Sequence, residues 1–545
     1  MLRFGNKRNV LYLIMLCCLV GAVYFTGYNA GYLNTSQNWA PTRLETTQQA
    51  TPAKFIHMKK LKPVPVTPTK TPKKLVLHVT QVDPMALDIP HRFDIIIKTV
   101  YAIFLRRGKV PTFVKNMYIR HEEVWNGFNE SCNVGNDWFD KKNPCNTKGS
   151  AEAFQLSFSE TLDSIATDGF DTNRSLVPVS KTWFPVNGAH RIAAAIALGL
   201  PTMPVQRVKT KGANYDSNYD SNYDSNSFKR RGLEEKYADF AMLQWTLHVT
   251  NVSTVLFWPE AVSNTTKMKG ARGLVHRHCG GVLYEKTVNV SRLGVASLAL
   301  HAYGNQGWLS AKIRDLQTRF SGSDDDMRPI SVLFVRPIST THLQTCKIRL
   351  RSHFALVNFK SAVHIPDRHD EVVLVAEMVL NPNSVRFLNR HEGGTCQEVA
   401  NEVATRLKLP PVNPASFVLP QDIMVDSGAV MSFFGLRNRT DVDLLFQGNV
   451  RKSTLGNHRG IQVQAHLFEG NRGAATGRAW GAEHLSNNCT AEDLFADPQY
   501  YGYCHGIKYV SLKQLIRYKE RRGEPNKDDK DVDSIKQFIA GTITV

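Results

Sequence analysis

The chain has 545 residues, 42% of them apolar and 21% charged, a composition that excludes a disordered or fibrous polymer and allows two or three domains with real cores. With 67 Lys and Arg against 48 Asp and Glu, the formal charge is +19, which implies anionic partners such as nucleotide phosphates, acidic glycans or membrane headgroups. No basic-aromatic module for nucleic acid is present, so no nucleic-acid partner is expected.

Residues 1–9 carry Arg3, Lys7 and Arg8 and lead into 10-VLYLIMLCCLVGAVYFTGY-28, an uncharged apolar run of about the length that crosses a bilayer. The positive-inside rule leaves the short N-terminus cytoplasmic and everything after residue 28 lumenal. The long apolar region and the bulky Tyr24-Phe25 favour an uncleaved anchor over a cleaved signal peptide. Residues 29–75, ending in 63-PVPVTPTKTPKK-74, cannot bury a core and read as an extended stem. Anchor, stem and large body together predict a single-pass type II protein of the Golgi or ER membrane.

Sequons at Asn34, Asn129, Asn173, Asn251, Asn264, Asn289, Asn438 and Asn488 agree with a lumenal body. Cys17 and Cys18 fall in the anchor, which leaves Cys132, Cys145, Cys279, Cys346, Cys396, Cys489 and Cys504. Cys132 with Cys145, and Cys489 with Cys504, are spaced like local disulfides. The other three have no partner that spacing assigns, and an odd number leaves at least one thiol free or pairing between chains.

The predicted fold is mixed α/β (α+β) and multi-domain. Its first unit spans 76–210, with a strand in 75-LVLHVTQV-82 and a helix over 151–169 that closes at Gly169. In 183-WFPVNGAHRIAAAIALGLPTMPVQ-206 an extended run meets a turn at Asn187-Gly188. An Ala-rich helix then runs from near His190 to Gly199, before another strand. A strand, a glycine turn and a helix N-terminus form an anion cradle, to which His190 and Arg191 can add charge-assisted contacts. The plainer alternative is that Gly188 only turns the chain and Arg191 pairs with a carboxylate. These residues resemble the GxHR-type signature of the ParB/sulfiredoxin-like superfamily, and the resemblance implies nucleoside-triphosphate binding at this turn. Ala189 stands where sulfiredoxins carry cysteine, so sulfinic-acid repair is not implied.

Residues 211–228 contain 214-NYDSNYDSNYDS-225, a repeat that reads as a solvated loop. A mixed α/β middle region follows over 229–415, with candidate strands and helices in 255-VLFWPEAV-262, 330-ISVLFV-335 and 371-EVVLVAEMVL-380. His364, Asp367, His369 and Glu371 cluster in sequence, but an N-cap at Asp367 and an acidic first turn explain them better than a metal does. The compact 276-HRHCGG-281 lacks the second pair that a zinc site needs.

The third unit, 416–545, contains 427-SGAVMSFFGLRNRTDVDLLF-446. Side chains two apart on a strand share a face, so Asp441 and Asp443 can bind one divalent cation, Mg²⁺ or Mn²⁺. The Ser427-Gly428 turn and the helix after it can hold phosphate through backbone N–H groups. In the tail 505-HGIKYVSLKQLIRYKERRGEPNKDDKDVDSIKQFI-539, a strand leads to a helix carrying Lys519 and Arg521. Lys527, Asp528 and Asp531 open another helix.

These two blocks resemble the nucleotidyltransferase-fold (polymerase β-like) superfamily, in which a GS turn, a DxD strand and a later "K…R…KD…D" helix pair recur. That superfamily includes lumenal and bacterial-surface relatives, of the fukutin and LicD kind, that transfer alditol phosphate or phosphocholine to glycans. The resemblance implies that Asp441 and Asp443 are the metal-binding catalytic pair. It also implies that Ser427, Gly428, Arg437, Lys519 and Lys527 contact nucleotide or phosphate. The usual third carboxylate is missing from 461-IQVQAHLF-468. Glu469, Glu483 or Asp493 substitutes, or the site holds one metal, or the domain is a weakened descendant. The expected function is transfer of a nucleotide-activated, phosphate-linked group or sugar to a glycan acceptor with a divalent metal. A non-catalytic lumenal nucleotide- or glycan-binding protein is the alternative, and a small-molecule kinase acting through the ParB-like unit is a third.

Overall fold

The computed structural model describes residues 79–128, 149–172, 176–208, 223–304, 306–320, 326–354, 362–390, 394–406, 421–439, 441–447, 465–467, 484–485 and 490–541. The predicted anchor and stem lie outside the described residues, as do Asn34, Asn129, Asn173, Asn488, Cys132, Cys145 and Cys489. Among the described residues no helix is long and apolar enough to cross a membrane. The four sequon asparagines that are described, Asn251, Asn264, Asn289 and Asn438, are all exposed.

The fold is mixed α/β, and each of its three small sheets falls within one of the three predicted units. In the first, β1 (Val79–Val82) pairs antiparallel with β3 (Met203–Arg207), and β2 (Val177–Val179) pairs parallel with β3. Four helices pack here: α1 (Phe93–Arg106), α2 (Thr112–Asn126), α3 (Ala151–Asp168) and α4 (Ala189–Leu198). The helix expected over 151–169 is α3, capped by Ser150 at one end and by Gly169 at the other. α4 begins and ends on glycines with positive φ, Gly188 (+85°) and Gly199 (+68°), a conformation that costs glycine little.

The middle region opens with α5 (Ser225–Arg230) and α6 (Glu235–His248). The last unit of the NYDS repeat is more than a solvated loop: Asp224 caps α5, and Tyr223 packs against Trp125 at 4.1 Å between ring centres. Next come β4 (Ser253–Phe257), α7 (Pro259–Ser263), α8 (Thr265–His278), β5 (Gly281–Val290), α9 (Arg292–Tyr303) and α10 (Leu309–Thr318). Then follow β6 (Arg328–Arg336), α11 (Thr340–His353), β7 (Val363–His364), α12 (His369–Val379), α13 (Pro382–Leu388) and α14 (Gly394–Arg406). The sheet is antiparallel in the order β5-β6-β4-β7. The apolar run 255–262 is half strand and half helix, because Pro259 suits the first helical turn and not a ladder. At α12 the N-cap is Arg368, not Asp367, whose carboxylate instead accepts from Lys347 Nζ at 2.8 Å.

The C-terminal unit holds β8 (Ile423–Asp426), α15 (Ser427–Phe433), β9 (Asp443–Phe446), β10 (Ala465–Leu467) and α16 (Ala491–Ala496). It closes with β11 (Tyr501–Cys504), β12 (Ile507–Val510), α17 (Leu512–Arg522) and α18 (Lys527–Ala540). The sheet order is β10-β9-β8-β12-β11. β8 is antiparallel to β9 and parallel to β12.

One apolar core runs from Leu87 to Phe538 through all three units. Polar contacts reinforce it. Asp493 caps its own helix and also accepts from the Thr112 backbone N–H, 2.5 Å away. Ser384 on α13 accepts from the Tyr503 backbone N–H at 2.7 Å. Two disulfides are present among the described cysteines, Cys279–Cys346 and Cys396–Cys504. The expected Cys489–Cys504 pair is therefore corrected: Cys504 takes Cys396, which α14 brings from 108 residues away. Cys279, left without a reading in HRHCGG, is the disulfide partner of Cys346.

Candidate functional site

β8 is buried along its whole length, and Asp426 at its end is fully enclosed. Ser427 follows with φ +54°, the left-handed region that non-glycine residues rarely enter, and this kink turns the strand into α15. The chain returns through Arg437 to β9. Val442 is buried, and Asp441 stands in the bend just before β9, close enough for its charge to act on Asp443. Asp443 stands directly across from Asp426 in the β8–β9 ladder, and residues opposite one another project to the same side. Three carboxylates, Asp426, Asp441 and Asp443, are therefore brought together at this end of the sheet.

Electrostatics agree with that placement. Burial pushes the Asp443 carboxyl up, and the negative charges of Asp426 and Asp441 push it further, to about 7. Arg522 and Lys527 act in the opposite direction, which brings the C-terminal tail within electrostatic reach of the DVD pair. Asp426 is held from behind by the buried His484, whose Nε2 lies 2.9 Å from its Oδ2. His484 stacks flat on Tyr518 at 4.1 Å, and its carbonyl accepts from Gln514 Nε2 at 2.6 Å. Both partners lie on α17, so the tail helix fixes the carboxylate on β8.

A third carboxylate beside Asp441 and Asp443 thus comes from the preceding strand, not from a following one. Of the expected substitutes, Glu469 and Glu483 lie outside the described residues. Asp493 is committed to capping and to Thr112, away from this face. Neither Asp426 nor His484 was singled out from sequence. Asp426 reads as the end of an apolar strand, and His484 sits in a stretch without periodicity.

The basic residues divide into two groups. Lys519 is 1% exposed, with Nζ 2.6 Å from Asp531 Oδ2 and 3.4 Å from Asp528 Oδ1. Arg437 Nη1 reaches the same Asp531 oxygen at 2.9 Å, and Arg522 Nε reaches Asp528 Oδ2 at 2.9 Å. Burial alone would raise the Asp528 carboxyl, but Arg522, the Glu524 N–H and Lys519 hold it down at about 2. Lys519, expected on phosphate, is thus the inner tie between α17 and α18. Lys527 remains at the surface, 3.5 Å from Glu524. The Arg437 guanidinium also fills the space over Gly428, where a Cβ would sit 2.9 Å from Nη2. Gly428→Ala is expected to push Arg437 off Asp531 and to lower donor affinity with little loss of fold, checked by donor titration beside a thermal melt. Ser427 and Gly428 are themselves buried, and α15 has seven residues, too short a helix to supply the phosphate cradle expected there.

The NGAHR turn has the backbone expected of it, with the Asn187 side chain accepting from the Gly188 N–H at 2.6 Å. Its side chains turn inward. His190 Nε2 lies 2.8 Å from Tyr118 Oη and 3.4 Å from Glu122 Oε1, and Arg191 donates to the Leu176 carbonyl at 3.1 Å. Glu122 in turn pairs with the buried Lys98 at 3.0 Å. These contacts join the turn to α2 and to the Leu176 carbonyl, and none of them reaches the aspartate face. His364, Asp367, His369 and Glu371 also fail to converge: His364 is buried on β7, while Asp367 is exposed on Lys347 and Gln344.

Among the described residues, the one group of His, Cys, Asp or Glu side chains whose ligand atoms all lie within 4.8 Å is elsewhere, at His301, Cys504 and His505. The three aspartates are set wider. A cation on this face would draw them together or be reached partly through water, as Mg²⁺ commonly is. In comparisons with known proteins, no family model, no curated protein and no solved structure matches the chain.

Proposed function

We propose that the C-terminal unit is a divalent-cation site for a nucleotide-activated donor, and that the protein transfers a phosphate-linked group or sugar from it to a glycan acceptor. The observation that carries this reading is the convergence of Asp426, Asp441 and Asp443 at one end of the sheet, with Asp443 raised to about 7 by burial and by the other two. Stacked carboxylates that repel one another favour a hard cation, and Mg²⁺ or Mn²⁺ fits their oxygen ligands. The cation would supply Lewis-acid stabilisation of the transferring phosphate. The chain's own residues would position it. His484 orients Asp426, Arg437 and Lys527 offer positive charge to donor oxygens, and the α17–α18 network keeps Arg437 in place. An anchor and stem over residues 1–75, as the sequence predicts, would put this body in the lumen of the secretory pathway, where glycan acceptors are found.

The test is a screen of the full-length chain against nucleotide sugars and nucleotide alditols with and without Mn²⁺. Turnover that needs the metal supports the reading, and its absence across the panel sinks it. A second reading, nucleotide or glycan binding without turnover, is favoured by the wide setting of the three aspartates. Calorimetric binding of donor in Mn²⁺ without consumption would select it. A kinase centred on His190 and Arg191 has less support, since both side chains are turned inward.

The raised Asp443 carboxyl gives a pH signature. A carboxyl lifted above its usual 3.8 contributes stability in full below that value and loses it as pH rises through about 7. Mg²⁺ relieves repulsion only between ionised carboxylates. It is therefore expected to raise the melting temperature more at pH 8 than at pH 5.5, and equal increments at the two pH values would count against a cation on this face.

A further inference from the structure

Away from the acidic face, the β11–β12 hairpin turns on His505-Gly506, with Cys504 and Ile507 as the closing pair. Both turn residues have positive φ, +47° and +75°, the two-residue geometry in which Asn-Gly is the usual choice. Histidine, like asparagine, is among the few non-glycine residues that enter this region. Its ring stacks on His301 of α9 at 4.0 Å between centres. His301 Nδ1 lies 2.6 Å from the Ser297 carbonyl, which can only accept, so Nδ1 carries the proton and Nε2 the lone pair. Nε2 of His301 and Nε2 of His505 are both buried without a hydrogen-bond partner. Buried polar atoms are nearly always satisfied, so two orphaned imidazole nitrogens side by side call for a ligand. The third ligand atom of the group is Cys504 Sγ, and Cys396 Sγ is bonded to it.

We propose that His301, His505, Cys504 and Cys396 form a Cys₂His₂ site for Zn²⁺ or a similar late transition metal, closed while Cys396–Cys504 is a disulfide and opened by its reduction. A disulfide sulfur is not a thiolate and does not hold zinc, so the two states exclude each other. A dithiol supplies the two electrons and two protons. The Cys396–Cys504 bond breaks, the dithiol closes to its own disulfide, and both cysteines become thiols. Zn²⁺ then displaces the two thiol protons as the sulfurs bind. The Ser297 carbonyl orients His301 as the outer partners of zinc-binding histidines do. The site would tie α9 and α14 to the hairpin next to β8, and its soft ligands separate it from the hard-oxygen aspartate face.

The test uses the full-length chain, oxidised or reduced with a phosphine, and Co²⁺ as the optical probe. The reduced chain is expected to take up about one Co²⁺ with a sulfur-to-cobalt charge-transfer band that Zn²⁺ abolishes; the oxidised chain should show none. His505→Asn keeps a residue suited to the turn while removing the ligand, and is expected to weaken metal binding roughly tenfold or more. Mg²⁺ stabilisation in that variant should be unchanged, which separates this site from the acidic one. A reduced chain that keeps its circular dichroism but shows no band overturns the proposal, as does a band of equal strength in a His301→Gln/His505→Asn chain. Should reduction unfold the protein, rescue by Zn²⁺ supports the site and failure of rescue overturns it.

Discussion

An Asp443→Asn chain is expected to lose metal-dependent donor turnover by about a thousandfold. A cation stabilising a transferring phosphate contributes about 4 kcal/mol, close to three powers of ten at 1.4 kcal/mol for each. The substitution is nearly isosteric and removes the carboxyl that burial, Asp426 and Asp441 push up to about 7. It should therefore leave the fold intact and, without metal, make the protein more stable than the parent above pH 7. Asp441→Asn should also impair turnover. Initial rates in Mn²⁺, with melts at pH 6 and pH 8, give both readouts. Normal turnover in Asp443→Asn would falsify the role of the acidic face.

The second large effect is on stability. Lys519→Ala is expected to destabilise the fold by about 3 kcal/mol, the low end of the cost of breaking a buried ion pair, because Arg437 and Arg522 still reach Asp531 and Asp528. Asp528 and Asp531 are 2% and 7% exposed, and Lys519 bridges them. Had Lys519 faced phosphate, as the motif implied, the same change would weaken donor binding and spare the fold. Lys527 gives the contrast. It is solvent-exposed, so Lys527→Ala should move the melt by no more than about 0.5 kcal/mol while raising the donor KM. Denaturant titrations of both variants, beside donor kinetics, distinguish an inner tie from a ligand contact. A Lys519→Ala melt within 1 kcal/mol of the parent would contradict the buried network.

The parts of the candidate site legible in the sequence were those written in short-range pattern. The short spacing put Asp441 and Asp443 together at the start of β9, and the glycines at 188 and 199 bounded α4 correctly. What escaped was set by register and by partners far along the chain. Asp426 joins the trio only because β8 and β9 pair antiparallel with 426 opposite 443, and single-strand periodicity carries no register. His190 faces Tyr118 and Glu122 from α2, about seventy residues upstream, so a turn that resembles a phosphate cradle delivers its histidine to an inner polar cluster instead. The Cys489–Cys504 expectation failed for the same reason: short spacing favoured a local loop, whereas tertiary packing supplied Cys396.

The position of β8 also bears on how the protein is made. Its partner on one side is β9, but on the other it is β12, which begins some eighty residues later at Ile507. During synthesis all three aspartates emerge well before the strand that encloses them and before Gln514 and Tyr518, which hold His484 behind Asp426. A nascent chain paused before Ile507 would expose a bare apolar edge of β8, the kind of edge that recruits chaperones or other strands. Nonsense changes between Ile507 and Tyr518 would therefore disable the acidic face as thoroughly as losing an aspartate, through failed quality control rather than failed chemistry.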